Sequence, residues 1–156
     1  DEEHLERTLA RLVETAMKVV CLPRTDLYLD GRVAPLDRLW SAGVPAFVGT
    51  NNVLNAFTPV GRPSLPSAAA VYALAARQGG KAVLNRMAAS LWQAAEVLHD
   101  SSRTDIAAGA PADLCIWPVT EPWQIVATEA TPLAVIVGGA FVHGGAMTAP
   151  LAVAHA

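Results

Sequence analysis

Charge is scarce in this chain. Only 16% of its 156 residues are Asp, Glu, Lys or Arg, the net charge is −3, and the eleven basic side chains form no cluster. Nothing here offers nucleic acid or an anionic lipid surface an electrostatic footprint, so neither is expected as a partner. Cysteine is nearly missing too. Cys21 and Cys115 stand alone in apolar runs, without a CxxC spacing and with no signal-peptide pattern opening the sequence. This argues against a disulfide framework and predicts two buried thiols in a reducing cytoplasm. Long apolar runs are also absent. The longest, Pro132 to Val142, is broken by Gly138 and Gly139 and falls short of the ~20 residues of a membrane-spanning helix.

What the chain does have is apolar content: 53% of it is hydrophobic. That is rich for a soluble protein and implies a buried sheet or an apolar surface covered by something else. The length suits one domain, which hides roughly 70% of its unfolded surface. The sequence opens on Asp1 rather than Met and runs straight into a helical pattern, so something is expected to precede it.

Residues 2–16 place Leu5, Leu9, Leu12, Val13 and Ala16 on one face of an amphipathic helix, with Glu2 and Glu3 in its first turn where the helix dipole favours acids. Met17 to Leu22 and Val44 to Gly49 read as strands buried on both faces, since neither alternates. Between them a polar loop is expected from Arg24 to Val33. A helix follows from Pro35 to Ala42, with Pro at its start and Gly43 as its stop. A strand, helix, strand unit implies parallel pairing, so the loops after both strands leave on one face. That face is where α/β folds place chemistry.

Two further helices are expected, Pro66 to Arg77, ended by Gly79 and Gly80, and Lys81 to Leu98. After residue 100 the pattern becomes short strands: Leu114 to Trp117, Ile125 to Val126, and Leu133 to Val137 turning at Gly138-Gly139 into Ala140 to His143. The tail from Thr148 carries no pattern and is expected to be loosely held. The Gly138-Gly139 and Gly144-Gly145 pairs open no helix and read as turns rather than phosphate cradles.

The polar cluster that begins at Thr50, after the apolar run Val44 to Gly49, is the densest chemical signal. Val48-Gly49-Thr50-Asn51-Asn52-Val53 resembles the end of the eighth strand in cytosine deaminase-like members of the metal-dependent amidohydrolase superfamily. Two other stretches resemble the same family: Lys18 to Pro23 with Thr25-Asp26-Leu27-Tyr28-Leu29, and Gly109-Ala110-Pro111-Ala112-Asp113-Leu114-Cys115-Ile116-Trp117. Val135 to Val142 resembles its last hairpin. All lie in the family's order and spacing, and together they span nearly the whole chain.

The resemblance implies an α/β fold: the last two strand-helix units of a (β/α)8 barrel of ~250 residues or more, over residues 1–108. Part of a small β-sandwich-like subdomain would follow over 109–147, then a tail over 148–156. Six strands would be missing, and with them the family's His ligands, which His4, His99, His143 and His155 do not match. His143 reads as a surface residue and His99 as a cap on its helix end. Two parallel strands cannot close a barrel, so the isolated chain is expected to fold poorly or aggregate.

In such enzymes a divalent metal, zinc or iron, activates a water that attacks a ring carbon and releases ammonia or an amine. Asn51 falls where the family has a metal-binding Asp, which makes it a weak metal candidate and a doubtful base. It fits an altered subfamily, a non-catalytic homologue, or a structural Asn at a turn. Asn52 and Phe57 fall where the family lines its pocket, against the alternatives of an Asx-turn and a core Phe. Asp26, beside Tyr28, orients a ring substrate or caps a turn.

The implied activity is hydrolysis of C–N bonds in a nucleobase-like or triazine-like ring, with the isolated chain inactive. The alternatives are a non-catalytic ligand-binding or assembly scaffold and an unrelated α/β binding domain. The expected partners are a small cyclic substrate, the missing N-terminal barrel segment and, as a further option, a second copy of the chain in a homo-oligomer.

Overall fold

A parallel strand pair flanked by helices, followed by a three-stranded antiparallel sheet, makes up the architecture in a computed structural model that describes residues 2–51, 53–99 and 106–144. Helix α1 (Glu2–Glu14) leads into β1 (Val19–Cys21), which pairs in parallel with β2 (Ala46–Val48) in the register Val19↔Ala46, Val20↔Phe47, Cys21↔Val48. The crossover between them holds α2 (Pro23–Asp30) and α3 (Leu36–Ser41). The parallel pairing expected from the strand, helix, strand pattern is therefore present.

α1 presents a narrower apolar stripe than the sequence implied. Leu9 is buried and Leu5 and Leu12 pack on the core, but Val13 is 51% exposed and Ala16 lies past the helix end with φ 50°. The reason is the way the helix closes. Met17 N–H donates to Leu12 O at 3.0 Å and Ala16 N–H to Val13 O at 3.1 Å, the paired bonds of a Schellman motif with Ala16 in the left-handed position. Arg38 bridges Glu2 at 2.6 Å and also Glu6, tying α1 to α3 across an exposed surface where ion pairs contribute little.

The stretch expected to be a polar loop is a helix instead. Pro23 opens α2 at its first turn and Gly31 closes it in the left-handed region at φ 66°, its N–H donating to Leu27 O at 3.0 Å. Pro first and Gly last are the end signals of a short helix, and they outweigh the polar composition between them. β2 is buried at all three residues, as expected. β1 is not: Val20 is 46% exposed and only Cys21 is buried.

Ser64 caps α4 (Leu65–Ala75), accepting from Ser67 N–H, and α5 (Lys81–His99) runs back beside it. The core lies where these two helices cover β2: Tyr72, Leu36 and Met87 are among its largest fully buried side chains. The Tyr72 hydroxyl accepts the Leu36 N–H at 3.0 Å and Trp40 Nε1–H donates to Ala46 O at 2.8 Å, so both aromatic polar atoms are satisfied. α4 is closed by Arg77 (φ 55°), two residues past its end and before the glycine pair expected to stop it, with Arg77 N–H on Leu74 O and Gln78 N–H on Ala73 O.

The second sheet has the order β3 (Leu114–Ile116), β4 (Ala134–Val137), β5 (Ala140–His143), all antiparallel. The β4–β5 turn is the expected glycine pair, Gly138 at φ 57° and Gly139 at φ 82°. Positive φ at both central residues makes this a type I′ hairpin, which glycine adopts without strain. Asp113 accepts the Gly138 N–H at 2.6 Å, which anchors the turn to the start of β3.

Ile125 and Val126, expected to form a strand, belong instead to a short helix, α6 (Trp123–Ala127). Gln124 Oε1 accepts the N–H groups of Thr120 at 3.0 Å and Glu121 at 2.9 Å, which curls the chain into the helical turn. Both apolar residues are buried, and α6 packs on α4 and α5 with Val126 in the main core. Cys115 is exposed, contrary to expectation, and both cysteines are free thiols. Among the described residues no helix is long and apolar enough to cross a membrane. Residues 148–156, including His155, lie outside the described residues, as does the side chain of His99.

Candidate functional site at the strand ends

The ends of β1 and β2 meet on one rim. Gly49 N–H donates to Cys21 O at 2.8 Å, extending the parallel pairing one step beyond β2, and the chain then passes through Thr50 to the half-buried Asn51. On the neighbouring strand α2 begins at once, bringing Arg24 and Thr25 to the same place. Thr25 Oγ1 and Thr58 Oγ1 are hydrogen-bonded at 2.7 Å, and Thr58 is only 2% exposed. Arg24 Nη2 donates to Ser67 Oγ at 2.5 Å, joining α2 to the first turn of α4.

Asn51 and Thr50 line a small cavity of about 10 Å³ with Arg24, Thr25 and Thr58. That volume is about one water-sized probe. The loop beyond it is shaped by Asn55, whose Oδ1 accepts the N–H groups of Phe57 at 2.9 Å and Thr58 at 2.8 Å. Asn55 therefore makes an Asx-turn in this loop. Asn52 lies outside the described residues.

The other candidate residues sit elsewhere. Phe57 is 57% exposed, so it is not a core residue, and it does not line the cavity with Asn51. Tyr28 is 59% exposed. Asp26 faces a separate groove of about 540 Å³ along β1, shared with Val19, Val20, Cys21 and His4. Burial raises the Asp26 carboxyl above its ordinary 3.8, aided by the nearby charge of Asp30 and opposed by hydrogen bonds from the Leu22 and Ala34 backbone. The Cys21 thiol is pushed up to about 12, first by burial and then by Asp26.

These residues do not suit a zinc or iron ion. Asn51 and the threonines offer neutral oxygens, and the cationic Arg24 lines the same cavity. Two like unit charges about 4 Å apart repel by about 4 kcal/mol at an effective dielectric of about 20, and a divalent ion doubles this. Transition metals favour imidazole, thiolate or carboxylate donors. Among the described residues, no three His, Cys, Asp or Glu side chains are grouped to hold a metal ion.

The chain superposes on 5-methylcytosine deaminase from Klebsiella pneumoniae liganded with 5-fluorocytosine, with a TM-score of 0.81 over 91% of this chain. The fold is cytosine deaminase-like. Sequence identity is 18% and the chain spans 37% of the length of that enzyme. The same deaminase liganded with phosphonocytosine gives the same TM-score, identity and coverage. No family model and no curated protein matches the chain.

Sequence reasoning found Asn51 but passed over Arg24, Thr25 and Thr58. A lone Arg two residues past a strand makes no pattern, and a threonine pair 33 positions apart is visible only once the loops are placed.

Proposed function

We propose that residues 1–108 form the last two strand-helix units of a (β/α)8 barrel and residues 109–147 its β subdomain, within a hydrolase of cyclic C–N bonds. The substrate class is a nucleobase-like or triazine-like ring, and the setting is the cytoplasm. The observation that carries this reading is the superposition on 5-methylcytosine deaminase over 91% of this chain, with the polar rim at the end of the parallel pair lying where barrel enzymes place their sites.

In this reading the chain supplies part of a pocket wall. Asn51 and Asn52 offer amide groups to a ring edge, and Phe57 offers an aromatic face once another segment covers it. Any zinc or iron is held by side chains outside this chain, because the donors at residue 51 do not suit it. The test is ammonia release from cytosine, 5-methylcytosine and an aminotriazine by the longest natural polypeptide containing these residues. Release from at least one ring is expected, and absence of both release and ring binding would reject the reading.

A second reading, a non-catalytic scaffold, is favoured by one observation: Asn51 shares its cavity with Arg24 and cannot take up a proton at neutral pH. Ring binding by calorimetry without ammonia release, and no activity after Asn51→Asp, would favour it.

A further inference from the structure

Among the described residues that line the rim cavity one side chain is charged, Arg24, and the proposed function gives it no part. We infer that Arg24 is the fixed cation of this rim, lining the same cavity as Asn51, and that it positions α4 and the loop at Gly61 around Asn51. The inference rests on the barrel reading for the meaning of position 51, but not for the contacts themselves.

Three observations carry it. Arg24 Nη2 donates to Ser67 Oγ at 2.5 Å, which pins the first turn of α4 to the first turn of α2. The guanidinium also packs against the backbone at Gly61, where a Cβ would stand 2.9 Å from Nη1 and 3.0 Å from Cζ. The loop has closed onto Arg24 as far as a side chain-free residue permits. Finally, Arg24 Nε is buried with no hydrogen-bond partner among the described residues, and the side chain lines the same small cavity as Thr50 and Asn51. A buried charged donor left unmatched is costly, and it attracts an acceptor while it repels a cation.

The consequence concerns Asn51→Asp. A carboxylate introduced there pairs with Arg24 rather than completing a metal site. Asn51→Asp is expected to raise the folding equilibrium constant about tenfold, as a charge-assisted hydrogen bond does. The gain should vanish in the Arg24→Gln background and survive in part with Arg24→Lys, which keeps the charge and loses the planar fork. Calorimetric titration with Zn²⁺ should give the same isotherm for the wild type, Asn51→Ala and Asn51→Asp.

These measurements use the chain, or the longest natural polypeptide containing it where the chain does not melt cooperatively. If Arg24→Gln does not fold, exchange of the Arg24 Nε–H with solvent reads the same contact and is expected to slow about tenfold in Asn51→Asp. A stabilisation of Asn51→Asp that persists in Arg24→Gln would overturn the inference. So would an equivalent of Zn²⁺ lost in Asn51→Ala, or Nε–H exchange indifferent to residue 51. None of these readouts uses turnover, so failure here is distinct from a failed ammonia assay.

Discussion

Thr25 and Thr58 share a hydrogen bond of 2.7 Å between their hydroxyls, and this contact ties the loop after β2 to the helix after β1. Thr58 is almost wholly buried and its N–H is held by Asn55 Oδ1. Thr58→Val keeps the shape and removes the hydroxyl, leaving Thr25 Oγ1 without this partner. A loss of about 1–2 kcal/mol is expected. Replacing both threonines by valine should recover part of it, because no polar atom is then stranded. A double-mutant cycle in urea measures the coupling, and additive effects would show that the pair does not act as a unit.

The helix ends offer the opposite direction of change. Arg77 and Glu129 occupy the left-handed position of Schellman closures at φ 55° and 49°, with Gln78 N–H on Ala73 O at 2.8 Å and Ala130 N–H on Ile125 O at 2.9 Å. A residue with a Cβ is strained there by about 1 kcal/mol, and glycine is not. Arg77→Gly and Glu129→Gly are each expected to stabilise the fold by up to about 1 kcal/mol, less the added freedom of the unfolded chain. Melting temperatures below the wild type for both variants would contradict this.

Turn and cap chemistry explains what the sequence disclosed. The apolar runs flanking Pro35 and Gly43 gave the β1–β2 pair, and Gly138-Gly139 gave the hairpin. α2 was misread because Asp26, Asp30 and Arg24 look like a loop, although Pro23 and Gly31 bound a helix. That error also misplaced a site residue. Neighbours on a helix point about 100° apart, so with Thr25 bonded to Thr58, Asp26 is turned into the β1 groove. α6 was misread because two buried apolar residues fit a strand or a helix equally. Asn51 was legible because an apolar strand running into asparagines is a local pattern. Arg24 was not, because its meaning depends on Ser67 and Gly61, which lie far along the chain.

Asp26 makes stability depend on pH in a definite sense. Its carboxyl is raised above 3.8 in the folded chain, chiefly by burial, so the folded state binds the proton more readily than the unfolded state. The favourable contribution is complete below about 3.8 and is lost as pH rises through the raised value. Asp26→Asn should therefore stabilise the protein at neutral pH and lose that advantage on acidification. Equal shifts in melting temperature at pH 3.5 and pH 7 would contradict the assignment. The Cys21 thiol follows from the same groove. At about 12 and 3% exposure it should resist alkylation at pH 8 while exposed Cys115 reacts.

The β1 edge makes the last prediction. β1 pairs only with β2 among the described residues, and the groove along it is lined by Val19, Val20, Leu5 and Val33. With Val20 46% exposed, this is a short strand edge beside apolar side chains, the arrangement that recruits another strand. The proposed barrel supplies such a strand from a segment preceding this chain. Purified alone, the 156 residues should self-associate as concentration rises. Co-expression with the preceding segment should suppress that association and sharpen the melt. Val20→Lys at the edge should reduce association without disturbing the core around Tyr72 and Leu36, since charge on an exposed strand blocks edge pairing. Sedimentation across a concentration series decides the matter: a monomer with a cooperative melt at every concentration would mean that the edge needs no partner, and would remove the physical argument for a larger barrel.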